Sequence, residues 1–216
     1  MNILLVVATK AEVEPVMASL AAKEEELLID THNVHMLVTG VGMVATTYHL
    51  TSMLSSDISY DLILNIGLAG SFTRELELGT VVQVTSDKFV ELGVEDDKEF
   101  VSASELGLVE DEEVVIHNDH SFKNDVIDGL VQVDGITVNT VHGNESSIAR
   151  VMKRTACDVE TMEGAAFFYV CQKEGQTCVQ IRAISNYVEK RDKSSWELDL
   201  SLNNLTTVVI DILKGL

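Results

Sequence analysis

Short apolar runs recur along the chain, separated by longer segments whose apolar residues have helical spacing. Such runs, without regular polar alternation, are typical of strands buried on both faces of a parallel sheet. Strands are predicted at residues 3–8, 34–39, 62–66, 80–85, 135–139 and 179–184. Helices are predicted from Thr9 onward, at 43–55, at 145–154, in a segment that ends at Gly175, and at 198–213. This alternation predicts one α/β domain over residues 1–216, with a three-layer α/β/α arrangement and a mostly parallel central mixed sheet.

The pattern weakens between residues 87 and 128, where acidic segments lie on both sides of a short apolar run at 114–116. We interpret this region as a possible irregular insertion or lid that contains one strand. His117 and His120 lie in it, but two loop histidines without a third ligand nearby do not define a metal site. The turn at 40–42 has two glycines and lacks the third glycine of a dinucleotide fingerprint. The sequence therefore predicts neither a metal nor a cofactor.

Composition and charge narrow the possible partners. The chain has 216 residues, of which 46 % are apolar, and its formal net charge is −20. Such an acidic surface disfavours nucleic acid and anionic membrane surfaces as partners. The first apolar run is too short for a membrane span or a signal peptide. Three cysteines without a CxxC pair favour reduced thiols in a cytoplasmic protein.

Several residues suited to chemistry lie where predicted strands end or helices begin, which is the edge of an α/β sheet that binds small molecules. They are Glu12, the segment 67–70, His142, Glu163 and Asn186. Glu160 and Glu163 are three residues apart, so they share one helical face if both are helical. Thr9 and Glu12 also have the spacing of a helix capping box. On pattern alone, Glu12 is equally a cap or a site carboxylate.

The sequence carries no signature of a nucleophilic enzyme. It has no G-x-S-x-G elbow, no P-loop, no H-E-x-x-H and no catalytic-cysteine motif. A carboxylate can instead act as a general base on water, and a second carboxylate can bind the hydroxyls of a sugar. From the residues alone, the chain is either a hydrolase or a sugar-binding module.

Five segments resemble the nucleoside phosphorylase/nucleosidase superfamily and occur in the order of that family. They are residues 3–13, Thr39-Gly40-Val41-Gly42, Asn65-Ile66-Gly67-Leu68-Ala69-Gly70, Met162-Glu163-Gly164-Ala165-Ala166 and Arg182-Ala183-Ile184-Ser185-Asn186. They span nearly the whole chain, and the last two together are the most specific. The resemblance implies a nucleoside phosphorylase-like fold, a small-molecule nucleoside as substrate and cleavage of its N-glycosidic bond.

The resemblance also implies roles for single residues. Glu12 matches the carboxylate that activates the attacking water, Glu163 matches the one that holds the ribose hydroxyls, and Met162 packs under the sugar. Asn186 stands where adenine-releasing members carry an aspartate that helps to protonate N7. A carboxamide suits the O6 and N7 edge of a 6-oxopurine, so Asn186 favours hypoxanthine over adenine. It is a poor proton source, which leaves open how the leaving group is protonated.

Further positions bear on the pocket and on the nucleophile. Gly67, Leu68, His142 and Trp196 are expected to line the substrate pocket. Phosphorylases of the family hold phosphate with an arginine and a serine, and those places are Asn65 and Leu68 here. Neither neutralises a dianion, so the resemblance implies water as the nucleophile.

Some alternatives stay open at this point. In the loop after Asn186, Arg191 either meets a carboxylate at the far end of the substrate, with Lys190, or belongs to a solvated charged loop. Relatives are homo-oligomers, and the apolar face of the helix at 43–53 is either an interface or core. The alternative functions are an adenine-releasing nucleosidase and a non-catalytic nucleoside-binding protein that keeps the fold.

Overall fold

The computed structural model describes residues 1–20, 26–29, 31–97, 99–118 and 122–216. Its strands are β1 (Asn2–Val7), β2 (Glu26–Ile29), β3 (His32–Val38), β4 (Leu62–Ser71), β5 (Val81–Phe89), β6 (Gly93–Asp96), β7 (Glu99–Ser102), β8 (Val115–His117), β9 (Val131–Thr137), β10 (Val159–Thr161) and β11 (Cys178–Tyr187). Its helices are α1 (Lys10–Ser19), α2 (Met43–Leu54), α3 (Asp111–Val114), α4 (Asp125–Asp128), α5 (Glu145–Arg154), α6 (Gly164–Lys173) and α7 (Leu198–Lys214), with a 3₁₀ turn at Lys193–Ser195. Every strand and helix predicted from the apolar pattern is present, with some ends shifted.

In the described part of the chain, nine strands form one mixed sheet in the order β10-β9-β5-β11-β4-β1-β3-β2, with β8 paired to β5. Parallel pairing joins β1 to β3 and β4, β4 to β11, β5 to β9, and β9 to β10. Strand β10 also pairs antiparallel with β4, so strands β4, β11, β5, β9 and β10 form a closed ring. The predicted mixed sheet with mostly parallel pairing is confirmed.

Strand β1 shows why the apolar runs are continuous. Ile3, Leu5 and Val7 belong to a core cluster that includes residues of α1 and α7. Leu4 and Val6 belong to a second cluster, which includes residues of α2 and α6. Because successive side chains of a strand point to opposite faces, both faces of β1 are buried. Helices therefore cover both sides of the sheet, in the three layers that the pattern predicts.

Strand β4 extends further than the sequence analysis predicts. Residues 67–71, expected to form a closing loop, continue the strand as far as Ser71. They do so because they pair with β11 on one side and, at Gly70 and Ser71, with β10 on the other. The segment 67–70 therefore lies inside the sheet at its carboxyl edge.

Glu160 and Glu163 would share a helical face only if both were helical, and this condition is not met. Glu160 lies in strand β10, where residues 159–161 pair with β9. Glu163 is the N-cap of α6, and the helix begins at Gly164. Sheet pairing therefore holds the first carboxylate before the helix starts, and the two side chains have separate partners.

The region between residues 87 and 128 contains more regular structure than expected. Strand β5 continues to Phe89, β6 and β7 form an antiparallel hairpin, and β8 pairs antiparallel with β5. The strand predicted from the apolar run at 114–116 is therefore confirmed as β8. His117 ends β8, whereas His120 lies outside the described residues. Among the helices that the structure describes, none has the length and apolar character needed to cross a membrane.

Candidate active site

A cavity of about 270 Å³ opens at the carboxyl ends of β1, β4, β10 and β11. This is the edge at which open α/β sheets bind small molecules. All the predicted site residues except Gly67 line it, namely Glu12, Leu68, His142, Met162, Glu163, Asn186, Arg191 and Trp196. The topology therefore brings residues from six separate segments of the chain into one place.

Glu12 is both a helix cap and a cavity residue. Its Oε2 atom accepts hydrogen bonds from the backbone N–H of Thr9 at 2.8 Å and from the hydroxyl of Thr9 at 2.9 Å, which is the predicted capping box. Its other oxygen, Oε1, lies 3.4 Å from the backbone nitrogen of Leu68. The cap thus holds the side chain in place and leaves Oε1 at the cavity wall.

Glu163 is the second carboxylate of the cavity and is only 7 % exposed. Its Oε1 atom accepts a hydrogen bond from the backbone N–H of Gly42 at 2.9 Å. Gly42 has φ +96°, a conformation that favours glycine, so the glycine turn at 40–42 supports Glu163. Burial raises the pKa of the Glu163 carboxyl, and the charge of Arg182 and the bond from Gly42 oppose that rise.

Arg182, a residue of β11 that is 1 % exposed, was not predicted as a site residue. Its Nε atom donates to Oε1 of Gln180 at 3.0 Å, and its Nη2 atom donates to Oδ1 of Asn65. Burial lowers the pKa of the guanidinium, whereas the carboxylates of Glu163, Glu12 and Asp87 raise it. The available signal was an arginine inside an apolar strand, because a buried cation requires buried anions.

Gly67 makes room for this charge network without lining the cavity itself. A Cβ atom at position 67 would collide with Nη1 of Arg182 and would lie 2.7 Å from Oε1 of Glu12. Any side chain at this position would therefore displace one of the two charged groups. The glycine allows the guanidinium and the Glu12 carboxylate to approach the same point of the β4 backbone.

Asp87, on β5, is the third carboxylate near Arg182 and is fully buried. It accepts hydrogen bonds from Oγ1 of Thr137 at 2.8 Å, from Nε2 of Gln180 at 3.2 Å and from the backbone N–H of Lys88 at 2.9 Å. Burial raises the pKa of Asp87 to about 6, and these bonds together with the charge of Arg182 limit the rise. Gln180 bridges Asp87 and Arg182, so the network extends below the cavity.

His142 and Glu160 form a buried pair in the cavity wall. The Nδ1 atom of His142 lies 2.7 Å from Oε2 of Glu160, and the backbone N–H of His142 donates to Oε1 at 2.9 Å. The side chains are 12 % and 3 % exposed. The carboxylate therefore fixes both the loop and the orientation of the imidazole ring.

Asn186 follows a bulge in β11 and lines the cavity. Its carboxamide forms two hydrogen bonds within the protein. Its Oδ1 atom accepts a hydrogen bond from the hydroxyl of Ser185 at 2.9 Å, and its Nδ2 atom donates to the backbone oxygen of Tyr187 at 3.1 Å. An amide nitrogen carries two protons and an amide oxygen has two lone pairs. One donor and one acceptor position therefore remain for a ligand.

The rim of the cavity combines a cation with an aromatic ring. The guanidinium of Arg191 lies 5.0 Å from the centre of the Trp196 ring, which is within the range of a cation–π contact. The backbone N–H of Arg191 donates to the oxygen of Gly143 at 3.1 Å. This bond ties the charged loop to the loop of His142, although Lys190 and Arg191 are exposed to solvent.

Comparison with known proteins assigns the chain to a family. The family model of the phosphorylase superfamily matches residues 3–215, so this chain belongs to the phosphorylase superfamily. A solved structure of a futalosine hydrolase mutant from Helicobacter pylori superposes with a TM-score of 0.80 at 16 % identity, covering all of both chains. That likeness shows the fold, and the expectation of a nucleoside phosphorylase-like fold is confirmed.

Three curated relatives carry hydrolase or nucleosidase names. Futalosine hydrolase of Streptomyces coelicolor is 26 % identical over 69 % of this chain and 64 % of its own length. Futalosine hydrolase of Thermus thermophilus is 28 % identical over 80 % of this chain and 78 % of its own. A 5'-methylthioadenosine/S-adenosylhomocysteine nucleosidase of Marinomonas sp. is 26 % identical over 85 % of this chain and 81 % of its own length. These relatives support an N-glycosyl hydrolase.

The raised pKa of Asp87 predicts a specific pH dependence of stability. The folded state holds the Asp87 proton up to about pH 6, against an ordinary value of 3.8, so the stabilisation is present at low pH and is lost as pH rises through about 6. Asp87→Asn removes this loss. We expect the free energy of unfolding of D87N, relative to wild type, to increase by roughly 2–3 kcal/mol between pH 4 and pH 7.

Urea denaturation at several pH values measures this difference. Asp57→Asn, at an exposed position, is the control and is expected to differ from wild type by the same amount at every pH. A constant difference between D87N and wild type would contradict the raised pKa of the buried Asp87.

Proposed function

We propose that this chain hydrolyses the N-glycosidic bond of futalosine, releasing hypoxanthine and dehypoxanthine futalosine in the futalosine route of menaquinone biosynthesis. The observation that carries the proposal is the convergence of Glu12, Glu163 and Asn186 on one cavity. The two curated futalosine hydrolases among the relatives support the choice of substrate.

In this proposal Glu12 activates the attacking water. Its Oε1 atom lies at the cavity wall, while its Oε2 atom is held by the cap at Thr9. A carboxylate in this position accepts a proton from water as the oxygen attacks C1′ of the ribose. Its attachment to a helix start and its proximity to the backbone of Leu68 restrict its orientation, which favours a single attack geometry.

Glu163 holds the ribose hydroxyls, with Met162 packed under the sugar. Cleavage of an N-glycosidic bond develops positive charge on the ring, and interactions that strengthen with this charge accelerate the reaction. Glu163 is buried beside Gly42 and Arg182. Hydroxyl donors of a ribose would satisfy the part of its carboxylate that the protein leaves to the cavity.

Asn186 binds the base in this proposal. Its remaining N–H can donate to O6 of a 6-oxopurine, and its remaining oxygen position can accept from N7 once N7 is protonated. An aspartate would instead suit the adenine-releasing members. Leu68, His142 and Trp196 line the rest of the pocket, and Gly67 leaves room for the Arg182 guanidinium beside it.

Two residues of β4, Asn65 and Leu68, support water rather than phosphate as the nucleophile. Asn65 is buried, donates from Nδ2 to the oxygen of Val6 at 3.0 Å and accepts from Arg182. Leu68 lines the cavity with an apolar side chain. Neither residue offers charge to a phosphate dianion, and Arg182 already lies among three carboxylates.

Arg191 and Lys190 meet the benzoate at the far end of futalosine in this proposal. Both line the cavity, and a guanidinium binds a carboxylate with charge-assisted hydrogen bonds. The contact between Arg191 and Trp196 places an aromatic ring beside the same position, which would pack against the benzoate ring.

A methylthioadenosine/adenosylhomocysteine nucleosidase is the second candidate function. The curated relative from Marinomonas sp. favours it, and its leaving group would be adenine. Asn186 argues against it, because the adenine-releasing members that the chain resembles carry an aspartate at this position.

We also propose that the protein is a cytoplasmic homo-oligomer whose interface includes helix α2. Val44 and Tyr48 are 83 % and 68 % exposed on this helix, and together they form an apolar surface suited to an interface. The three free cysteines support a reducing compartment. Analytical ultracentrifugation tests the assembly, and a mass equal to one 23.7 kDa chain at micromolar concentration would contradict it.

Glu12→Gln tests the proposed base. The glutamine keeps an oxygen for the cap but cannot accept the proton of water, so we expect kcat for hypoxanthine release from futalosine to fall about 10²- to 10⁴-fold. The matched control is Glu14→Gln, an exposed position of the same helix, which should retain wild-type kcat. A loss of less than about tenfold in E12Q would remove Glu12 from the role of general base.

Arg191→Ala tests the benzoate subsite. Loss of a charge-assisted bond should raise KM for futalosine about 10- to 100-fold, while KM for inosine, which has no benzoate, should change little. Steady-state kinetics on both substrates provide the comparison, with the exposed Lys193→Ala as the control. Equal increases for futalosine and inosine would show that Arg191 does not recognise the benzoate.

A further inference from the structure

The register of the sheet places Glu160 and Asn186 on either side of Gly70. Gly70 pairs with Glu160 of β10 on one edge and with Asn186 of β11 on the other. A Cβ atom at Gly70 would lie 3.1 Å from Nδ2 of Asn186 and 3.6 Å from Cγ of Glu160. The two side chains therefore converge across the bare backbone of this glycine.

Glu160 also binds His142 and so holds it close to Gly70 and Asn186. The carboxylate binds both the backbone N–H and Nδ1 of His142, so the imidazole has a fixed position at the base end of the cavity. The second ring nitrogen, Nε2, forms no hydrogen bond with any residue that the structure describes. A carboxylate on one ring nitrogen stabilises the charged ring and orients the other nitrogen, as in acid–base catalysis by histidine.

The proposed function lacks a proton donor for the departing purine. Glu12 accepts a proton in that scheme, Glu163 binds the sugar, and Asn186 cannot release a proton. Of the side chains near Asn186, His142 carries the imidazole, the side-chain group that serves most often as a general acid or base.

We propose that His142, positioned by Glu160, is the general acid that protonates the purine at N7; this inference rests on the proposed function. Water forms a bond from its oxygen to C1′ and gives its proton to Glu12. The bond between C1′ and N9 breaks, and its electron pair leaves with the purine. The proton on Nε2 of His142 passes to N7, while Asn186 donates to O6. Solvent returns the proton from Glu12 to His142, so no further reactant is needed.

His142→Gln with two leaving groups tests the proposal. Hypoxanthine needs protonation to leave, whereas 4-nitrophenolate leaves from 4-nitrophenyl β-D-riboside without it. We expect kcat/KM for futalosine to fall about 100-fold or more and kcat/KM for the nitrophenyl riboside to change less than about threefold. Retained cleavage of the nitrophenyl riboside also reports that the variant is folded. The control is His117→Gln, which alters an exposed histidine outside the cavity.

Glu160→Gln tests the positioning residue with the same pair of substrates. The amide still accepts from the backbone of His142 but no longer stabilises a charged ring, so the loss should again be confined to futalosine. A structural role would reduce cleavage of both substrates alike.

Three results would overturn the assignment of His142. They are equal losses of both substrates in H142Q, unchanged activity on both, and no cleavage of any purine nucleoside by the wild-type protein. If the wild type cleaves another purine nucleoside but not futalosine, the proposed function fails by itself, and the ratio measured with that nucleoside still decides the role of His142.

Discussion

The buried guanidinium of Arg182 is the constraint on which the rest of the site depends. A cation without access to water is tolerated only where anions and hydrogen-bond acceptors surround it. Here the anions are Glu12, Glu163 and Asp87. Each belongs to a different element, so the requirement to neutralise one arginine ties α1, β5, β11 and the start of α6 together around the cavity.

This constraint links stability and activity. The carboxylates that stabilise Arg182 include the two that we propose to act on water and on the sugar, and Asp87 anchors the network from below through Gln180. Glycines at 67 and 164 leave the space that these side chains occupy, since a Cβ at Gly164 would overlap Asp87 and Gln180. The site thus combines large charged residues with glycines, which leave the space that the charged side chains fill.

The apolar pattern was enough to predict the architecture, because the burial of each strand and helix determines the pattern of its own residues. Burial on both faces of β1, β4 and β11 produces continuous apolar runs, and helices with one apolar stripe cover them. Glu12 and Asn186 were accessible to sequence reasoning because Glu12 lies in the first helical turn after β1 and Asn186 lies near the end of β11.

The remaining features depend on contacts between distant segments. The position of Glu160 follows from pairing of β10 with β9 and β4, which local spacing cannot show. His142 lies in a loop and Glu160 in strand β10, 18 positions further along the chain. Local spacing therefore does not reveal that they form a pair. Arg182 carried a signal, an isolated charge in an apolar strand, but its partners lie in three other segments.

Product analysis by mass spectrometry shows whether the protein hydrolyses futalosine with water as the nucleophile. Purified protein would receive futalosine, inosine or methylthioadenosine, each with and without phosphate. We expect hypoxanthine from futalosine, at a rate that does not require phosphate and without a sugar phosphate product. Adenine released from methylthioadenosine in preference, or cleavage that depends on phosphate, would contradict it, and binding without turnover of any of the three would identify a nucleoside-binding protein instead.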